Sequence, residues 1–210
     1  MIGYYNYTVI LTYIGTLFGF AGITYIGNSN LRMALLCLMF AGFCDMFDGK
    51  IASTMKRTKQ EKRFGIQIDS LSDLICFGVL PCCIGWAMGL KNALYVPVFC
   101  FFVLAALIRL AYFNVTEEER QQQTTEKRKS YQGLPVTSSA VVFPFFFLAH
   151  FIKVTHPYSP YIYFTALVLT GILFVVKSLK IKKPNLKVVM ILIFFGLVEL
   201  AILLILKYLK

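Results

Sequence analysis

Seven long apolar runs, separated by short polar breaks, follow one another along the chain. They lie near residues 8–26, 31–48, 67–89, 93–114, 134–154, 160–176 and 188–206. Each run is close to the ~20 residues that a helix needs to cross a bilayer. In lipid, the backbone N–H and C=O groups of a spanning segment must form hydrogen bonds within the protein. The runs lack the alternation of apolar and polar residues that is typical of membrane barrel strands, so we expect helices. The pattern predicts an all-α, polytopic transmembrane helical bundle of about seven spans, with a range of about six to eight.

The composition agrees with a location in lipid. Of the 210 residues, 58% are hydrophobic and 15% are charged, which gives more apolar surface than a soluble domain of this size can enclose. The sequence shows no internal repeat and no low-complexity linker. We therefore expect a single membrane-embedded domain over residues 1–210, with a core at 8–176 and an additional C-terminal span at 188–206.

Basic residues are concentrated in alternate polar breaks. Residues 50–63 hold six, residues 120–129 hold four and residues 177–187 hold five of the 21 lysines and arginines. Loops rich in positive charge stay in the cytoplasm, so we expect these loops and the N-terminus on that side. The net charge of +11 then favours contact with anionic lipid headgroups over nucleic acid, because no soluble basic domain accompanies it.

The longest polar stretch runs from residue 116 to residue 132. Three glutamates at 117–119 precede the basic residues Lys127, Arg128 and Lys129, an order that suits the dipole of a short helix. We nevertheless favour a solvated connector for this stretch.

All four aspartates fall in one window. Asp45 and Asp48 end the second run at i, i+3, and Asp69 and Asp73 open the third at i, i+4, so each pair shares one helix face. A carboxylate in the bilayer costs about 2.5–3.5 kcal/mol, and the spans contain few cations that offset it. Because no histidine or cysteine lies nearby, the oxygen ligands indicate a hard ion, Mg²⁺ or Mn²⁺. Two such ions about 3.5–4 Å apart can clamp the entering and leaving oxygens of a phosphoryl centre.

Small residues accompany these carboxylates in a recognisable order. The fixed positions are Asp45, Asp48, Gly49, Ala52, Gly65, Asp69 and Asp73. They resemble the signature of the CDP-alcohol phosphotransferase family, DxxDGxxAR followed by GxxxDxxxD, with seven of its eight fixed positions present. Residues 69–81, 109–115 and 133–135 resemble the phosphatidylserine synthase branch in particular, and the likeness extends over about residues 8–145.

The resemblance implies a reaction and a set of site residues. The chain would transfer the phosphatidyl group of CDP-diacylglycerol to L-serine, giving phosphatidylserine and CMP, by direct attack of the serine hydroxyl. Two Mg²⁺ or Mn²⁺ ions would be held by Asp45, Asp48, Asp69 and Asp73, and Asp69 and Asp73 would also be catalytic. CDP would be bound by Asp48, Gly49, Ala52, Ser53, Lys56, Arg57 and Gly65. The pocket for serine would include Arg109, Asn114 and Gly133.

One position departs from the signature. The family has arginine after the alanine, whereas this chain has Ser53, and a hydroxyl cannot make the bidentate contact of a guanidinium with a diphosphate. Either Lys50, Lys56 or Arg57 takes over that contact, or the enzyme is weakened. If no other cation does so, Ser53→Arg is expected to tighten CDP-diacylglycerol binding or to raise turnover.

Two alternatives to a serine phosphatidyltransferase remain: the same reaction with another acceptor alcohol, and a metal-ion transporter. Glycerol 3-phosphate or inositol phosphate would require several cations in the pocket, and Arg109 stands nearly alone within the spans, which favours serine. A divalent metal-ion transporter would line a path with carboxylates, whereas these aspartates cluster at one end of two spans. We expect an integral protein of a prokaryotic cell membrane with its site facing the cytoplasm, and a homodimer is left open.

Overall fold

The computed structural model describes residues 2–124, 130–152, 154–182 and 186–205. Lys127, Arg128, Lys129 and Lys183 of the predicted basic loops lie outside the described residues. The helices are α1 (Ile10–Gly27), α2 (Leu31–Ala52), α3 (Lys59–Asp73), α4 (Leu80–Ala87), α5 (Val96–Gln123), α6 (Ser139–Phe147), α7 (Ser159–Val175) and α8 (Leu186–Ile205). The predicted helical class is confirmed. Two strands, β1 (Ser130–Gln132) and β2 (Lys180–Lys182), form a small antiparallel ladder that the sequence analysis did not anticipate.

Four helical stretches in the described part of the chain are long and apolar enough to cross a membrane. They are Tyr7–Gly27, Lys59–Ala87, Ala93–Gln123 and His156–Val175, and shorter apolar helices occur at Val136–His150 and Ile193–Ile205. Helix α2 has 22 residues but carries four charged side chains, Arg32, Asp45, Asp48 and Lys50. The chain is therefore an integral membrane protein, and seven spans stay a prediction.

Helix α5 extends further than predicted. It continues through Gln123, so the prediction of a solvated connector is wrong for residues 116–123. Glu118 on this extension accepts a hydrogen bond of 2.7 Å from Arg63 on α3, and Arg120 pairs with Glu117 one turn away. The Arg63–Glu118 pair joins the polar end of α5 to the start of α3, where Thr58 and Glu61 form a capping box.

Aromatic side chains fill the space between α5, α6 and α7. Phe102 packs edge-to-face against Phe143 with ring centroids 5.5 Å apart, and Phe143 in turn contacts Tyr163 at 5.1 Å. The Tyr163 hydroxyl is fully buried and donates a hydrogen bond of 3.1 Å to the Pro81 carbonyl. This bond joins α7 to α4, and it satisfies a polar group that would otherwise be costly in this core.

Glycines bring α1 close to its neighbours. A Cβ on Gly19 would lie 2.4 Å from the Cys76 sulfur, and one on Gly22 would lie 2.8 Å from a methyl of Leu80. A side chain at either position would clash, so the close approach requires glycine, as is common between membrane helices. The same face of α1 carries Thr12 and Gly15, and it is thereby pressed against the ends of α2 and α3 that hold the aspartates.

The helix that carries Asp69 and Asp73 widens into a π turn directly after them. This turn covers Leu74–Val79 and ends before Pro81, which lies in the first turn of α4. Proline has no N–H, and its ring would press on the carbonyl four residues earlier, at Phe77. The wider turn accommodates this conflict, and π turns of this kind are frequent beside functional sites.

Candidate metal centre and active site

The four aspartates of the sequence analysis meet at one point between α2 and α3. Carboxylate oxygens of Asp45, Asp48 and Asp69 all lie within 4.8 Å of one another. Asp45 also lies within hydrogen-bonding distance of Asp73, and Asp48 of Asp69. The i, i+3 and i, i+4 spacings place each pair on one face of its helix, and the packing of α2 on α3 turns those faces toward each other.

A small cavity separates the carboxylates. Its described lining consists of Thr12, Gly15, Ala41, Cys44, Asp45, Asp48, Asp69, Ser72, Asp73, Cys76 and Phe77. None of these lining residues carries a positive charge. Asp48 is 9% exposed and Asp73 is 8% exposed, so four acidic groups surround a largely buried point without a basic residue among them.

Hydroxyl groups of α1 and α3 contact this acidic cluster. Thr12 donates a hydrogen bond of 3.1 Å to Asp48, and Thr16 lies 2.7 Å from the Ser72 hydroxyl. Ser72 is on the cavity side of α3, one position before Asp73. These bonds hold α1 against the carboxylate-bearing helices at the level of the site.

The donor set fits a hard divalent cation. Carboxylate oxygens are the ligands that Mg²⁺ and Mn²⁺ prefer, and oxygens bound to one such ion at about 2.1 Å lie no more than about 4.2 Å apart. The separations of Asp45, Asp48 and Asp69, at 4.8 Å or less, are near that range. The cavity volume of about 10 Å³ matches about one water-sized species, which suits a small ion.

Two cysteines correct the expectation that no sulfur lies near the site. Cys44 and Cys76 line the cavity. The Cys76 thiol donates a hydrogen bond of 3.4 Å to the Gly15 carbonyl, and both cysteines are buried. The Cys76 thiol is hydrogen-bonded to α1, and hard ions prefer carboxylate oxygens to sulfur. We therefore still expect Mg²⁺ or Mn²⁺, bound by the four carboxylates.

Of the predicted CDP-binding residues, Asp48 lines the aspartate cavity, and the others lie at the end of α2, in the connection to α3 or within α3. Space for a ligand is present at Gly49, where an added Cβ would meet nothing within 4 Å. Ala52 is half-buried in the last turn of α2, while Lys56 is exposed in the connection to α3. Lys50 is engaged with Phe47, its ammonium nitrogen 5.1 Å from the ring centroid.

Ser53 and Arg57 occupy contrasting environments. Ser53 is exposed at the end of α2. Its hydroxyl donates a hydrogen bond of 2.6 Å to the Lys50 carbonyl and so caps the helix. The guanidinium of Arg57 lies over Gly65, since a Cβ there would come within 3.1 Å of the Arg57 Nη1 atom. The Arg57 Nε atom is buried and has no hydrogen-bond partner among the described residues.

Arg57 therefore lies on the side of α3 that leads to the aspartates. Gly65 is one helical turn, about 6 Å, before Asp69 on the same face. Glu61 attracts this guanidinium, but the oxygens of Glu61 accept bonds from Thr58 and Asn6. An anion placed over Gly65 would meet the Arg57 Nη1 atom.

The predicted serine-pocket residues separate into two places. Asn114 donates a hydrogen bond of 2.8 Å to Ser70, which lies between Asp69 and Asp73 on α3. Arg109 is 8% exposed, donates from Nε to the Leu134 carbonyl at 3.2 Å and stacks over Phe113. Arg109 and Gly133 line a second cavity, whose lining shares no residue with the aspartate cavity.

Thr12 is the site residue that sequence reasoning missed. A signal was present, because Thr12, Gly15, Thr16 and Gly19 recur at helical spacing and form one small and polar face of an otherwise apolar first span. Such a face indicates close packing or a polar contact inside the bundle. It does not by itself identify Asp48 as the partner.

Relatives with known names match much of the chain. A CDP-diacylglycerol–serine O-phosphatidyltransferase of Saccharomyces cerevisiae is 34% identical over 138 residues, covering 60% of this chain and 49% of that protein. The protein of the same name in Helicobacter pylori is 29% identical over 205 residues, covering 92% of this chain and 81% of its own length. An archaetidylserine synthase of Methanothermobacter thermautotrophicus is 30% identical, covering 68% of this chain and 58% of that protein.

The chain thus spans about half of the Saccharomyces protein and most of the Helicobacter protein. A sequence profile described as CDP-alcohol phosphatidyltransferase matches residues 5–208. This match confirms the resemblance drawn from the seven signature positions, and the chain belongs to the CDP-alcohol phosphatidyltransferase family.

Proposed function

We propose that this protein transfers the phosphatidyl group of CDP-diacylglycerol to L-serine and releases phosphatidylserine and CMP. The observation that carries the proposal is the meeting of Asp45, Asp48 and Asp69 within 4.8 Å, next to Asp73, in a chain of this family. The names of the Saccharomyces and Helicobacter relatives support serine as the acceptor. Four carboxylates in a membrane-embedded cavity without a lining cation suit metal-assisted transfer better than structural pairing.

Asp45, Asp48 and Asp69 would hold the metal ions, with Asp73 completing the set. Four carboxylates carry enough charge for two divalent cations, which we propose to be Mg²⁺ or Mn²⁺; the cavity itself has room for about one of them, so the carboxylates would have to move apart to hold both. When bound, the ions neutralise the diphosphate and stabilise charge on the transferred phosphoryl centre. Thr12 would orient Asp48 through its hydrogen bond of 3.1 Å.

Asp73 is the proposed proton acceptor, with Asp69 beside it on the same helix face. The serine hydroxyl oxygen forms the new bond to the lipid-bearing phosphorus, and the bond from that phosphorus to the CMP oxygen breaks. The hydroxyl proton passes to the Asp73 carboxylate, and CMP takes the electron pair of the broken bond. Attack is direct, so the chain needs no nucleophilic side chain, and positioning supplies most of the rate enhancement.

The nucleotide would lie along Gly49, Ala52 and Gly65, where the backbone is approachable. Arg57 is the cation best placed for the diphosphate, because its Nη1 atom lies over Gly65, one helical turn before Asp69. Ser53 is engaged in capping α2 and would contribute through its backbone. Lys56, exposed on the same connection, would supply a weaker and more solvated charge.

The serine would enter beside Asn114, which contacts Ser70 between the two α3 aspartates. Arg109 and Gly133 would then shape the α5 side of the site through the Arg109 bond to Leu134. The basic connections at 50–63 and 177–187 favour a cytoplasmic N-terminus and a site open to the cytoplasm. Seven spans would require α2, the helix at 136–150 and α8 to cross or enter the bilayer with the four longer helices.

The test is incorporation of radiolabelled serine into lipid by the purified protein. With CDP-diacylglycerol and Mn²⁺ or Mg²⁺, we expect labelled phosphatidylserine and an equal amount of CMP. Asp69→Asn should abolish both, whereas Glu119→Gln, which removes an exposed carboxylate of α5, should leave both unchanged. CMP release with glycerol 3-phosphate or inositol phosphate but not with serine would reassign the acceptor. Metal flux in vesicles without CMP release would replace the proposal with transport.

A further inference from the structure

The segment that precedes α1, residues 2–7, lies against the connection from α2 to α3. At the α2 end of the connection, the Tyr7 hydroxyl lies 2.9 Å from the Thr54 hydroxyl. At the α3 end, the Tyr4 hydroxyl donates a hydrogen bond of 2.9 Å to the side-chain oxygen of Gln60. One short segment therefore holds both ends of the connection, and we call residues 2–7 the clamp segment.

Tyr7 is the donor in its bond to Thr54. The Thr54 hydroxyl donates its own proton to the Ile51 carbonyl at 2.8 Å, so its oxygen accepts from the Tyr7 hydroxyl. Thr54 lies two residues after Ala52, where α2 ends. The Tyr7 bond thus fixes the chain at the point where it leaves α2.

Asn6 makes the contact of the clamp segment with the capping box of α3. Its side-chain nitrogen donates a hydrogen bond of 3.2 Å to one carboxylate oxygen of Glu61. The other Glu61 oxygen accepts from the backbone N–H and the hydroxyl of Thr58, at 2.8 and 2.9 Å. The Asn6 side-chain oxygen accepts from the Thr8 backbone N–H at 3.1 Å. Both ends of the Asn6 amide are therefore engaged, and Glu61 is held from two sides.

A ring contact extends the clamp segment to the turn of α3 that carries Gly65. The Tyr4 ring packs edge-to-face against Phe64, with ring centroids 5.6 Å apart. Phe64 directly precedes Gly65, over which the Arg57 Nη1 atom lies. Lys56 and Arg57, the cations of the proposed nucleotide site, thus lie on the stretch of chain between the two ends that the clamp segment holds.

We propose that Asn6 and Tyr7 are positioning residues that hold the nucleotide-binding connection in the arrangement that binds CDP. Ordering a flexible stretch of chain costs conformational entropy, and contacts that order it before the ligand arrives improve affinity by removing that cost. The two residues act through Glu61 and Thr54 and not on the reacting atoms. The ligand concerned is the cytidine diphosphate group of the lipid substrate, and in this the inference rests on the proposed function.

The test is the dissociation constant of CDP in the presence of Mg²⁺, measured by titration calorimetry on the purified full chain well below its melting temperature. Asn6→Asp keeps the oxygen that accepts from Thr8, but it replaces the amide donor by a charge that repels Glu61. We expect CDP to bind about tenfold more weakly, the factor of one hydrogen bond to a charged group. The KM for CDP-diacylglycerol should rise similarly, while kcat and the KM for serine stay near those of the parent.

A second substitution tests the contact between Asn6 and Glu61 directly. When Glu61→Gln is added to Asn6→Asp, the glutamine amide can donate to the aspartate, which restores the bond in the reverse direction. Glutamine also serves at this position of a capping box, so the start of α3 keeps its bond to the Thr58 backbone. The double variant should therefore bind CDP about as tightly as Glu61→Gln alone, whereas Asn6→Asp alone should not.

Tyr7→Phe and Tyr5→Phe form a matched pair within the clamp segment. Each variant removes one hydroxyl from an exposed tyrosine and keeps the ring. The Tyr5 hydroxyl donates a hydrogen bond of 2.6 Å to the Ile2 carbonyl inside the segment, whereas the Tyr7 hydroxyl donates to the connection. We expect Tyr7→Phe to weaken CDP binding about threefold, the factor of one neutral hydrogen bond, and Tyr5→Phe to leave it unchanged.

The outcomes separate this inference from the proposed function. Equal CDP affinity in the parent, Asn6→Asp and Tyr7→Phe would overturn the positioning role and leave the proposed function in place. Equal losses in the Tyr5 and Tyr7 variants, or a loss in Asn6→Asp that Glu61→Gln does not reverse, would also overturn that role alone. A parent chain that neither binds CDP nor transfers serine would overturn the proposed function, and the positioning role with it.

Discussion

The hydroxyl of Thr12 on α1 donates a hydrogen bond of 3.1 Å to the carboxylate of Asp48 on α2. Both side chains are largely buried, at 7% and 9% exposure. The bond directs one Asp48 oxygen toward α1 and orients the carboxylate relative to Asp69. The first helix is thereby part of the candidate metal centre, although it carries no acidic residue.

Thr12→Val should weaken metal binding without unfolding the bundle. Valine keeps the shape of threonine and removes the donor, so Asp48 loses the contact that orients it. Partners of metal ligands typically contribute about tenfold or more to metal affinity. We expect the Mn²⁺ concentration for half-maximal serine transfer to rise about tenfold, measured by titrating the metal-free protein.

Thr24→Val provides the matched control on the same helix. Its hydroxyl donates 2.8 Å to the Ala21 carbonyl and is exposed, so the same change there should leave the Mn²⁺ requirement as it was. If both variants shifted the requirement equally, the Thr12 bond would have no specific part in metal binding.

The meeting of the aspartates could be predicted from the sequence because two strong constraints act together. The i, i+3 and i, i+4 spacings give Asp45 with Asp48, and Asp69 with Asp73, a common face on each helix. The cost of a carboxylate in lipid then requires the two faces to share a counter-charge. The all-helical fold could also be predicted, because the apolar runs are long enough to span a bilayer and a helix satisfies all of its backbone hydrogen bonds internally.

The features that could not be predicted depend on contacts distant in sequence. Thr12 and Asp48 are 36 positions apart, and only the glycine face of α1 hints at their approach. The helix over 116–123 contacts distant residues, as Glu118 does with Arg63 on α3, and a polar local sequence does not reveal such contacts. Arg109 donates a hydrogen bond to the Leu134 carbonyl, which lies 25 positions further along the chain, and no local pattern indicates this contact.

Removal of divalent metal should abolish transfer, and small ions should restore it. The cavity between the carboxylates has room for about one water-sized species. Mg²⁺ binds oxygen at about 2.0–2.1 Å, whereas Ca²⁺ needs about 2.3–2.6 Å and more ligands. After chelation and dialysis, we expect Mg²⁺ or Mn²⁺ to restore activity and Ca²⁺ to restore little. Full activity in excess chelator would contradict a role for the aspartates as metal ligands.

Arg57→Gln should weaken CDP-diacylglycerol binding more than it lowers turnover at saturation. The variant removes the guanidinium that lies over Gly65, and a hydrogen bond to a charged group contributes about 1.5–3 kcal/mol. We expect the KM for CDP-diacylglycerol to rise about tenfold or more, with the KM for serine nearly unchanged. Both KM values are measured by steady-state kinetics in which each substrate is varied in turn.

Two further variants identify the cation that replaces the family arginine. Lys56→Gln removes a neighbouring exposed charge and should change the KM less than twofold, since solvated pairs contribute about 0–1 kcal/mol. Ser53→Arg should have little effect in the parent but should recover much of the loss in the Arg57→Gln background. A large gain from Ser53→Arg in the parent would instead mean that no present cation fills this position.

Gly133→Ala should destabilise the junction between α5 and α7. Gly133 has φ +72°, and an added Cβ would lie 2.5 Å from the Phe174 carbonyl oxygen. The left-handed backbone costs a residue with a side chain about 1–3 kcal/mol, and the contact with rigid backbone adds to it. We expect the melting temperature in detergent to fall by about 5 °C. Gly27→Ala, where a Cβ meets nothing within 4 Å, is the control and should not lower it. An unchanged melting temperature for Gly133→Ala, with a raised KM for serine, would show that Gly133 serves the acceptor directly and not the fold.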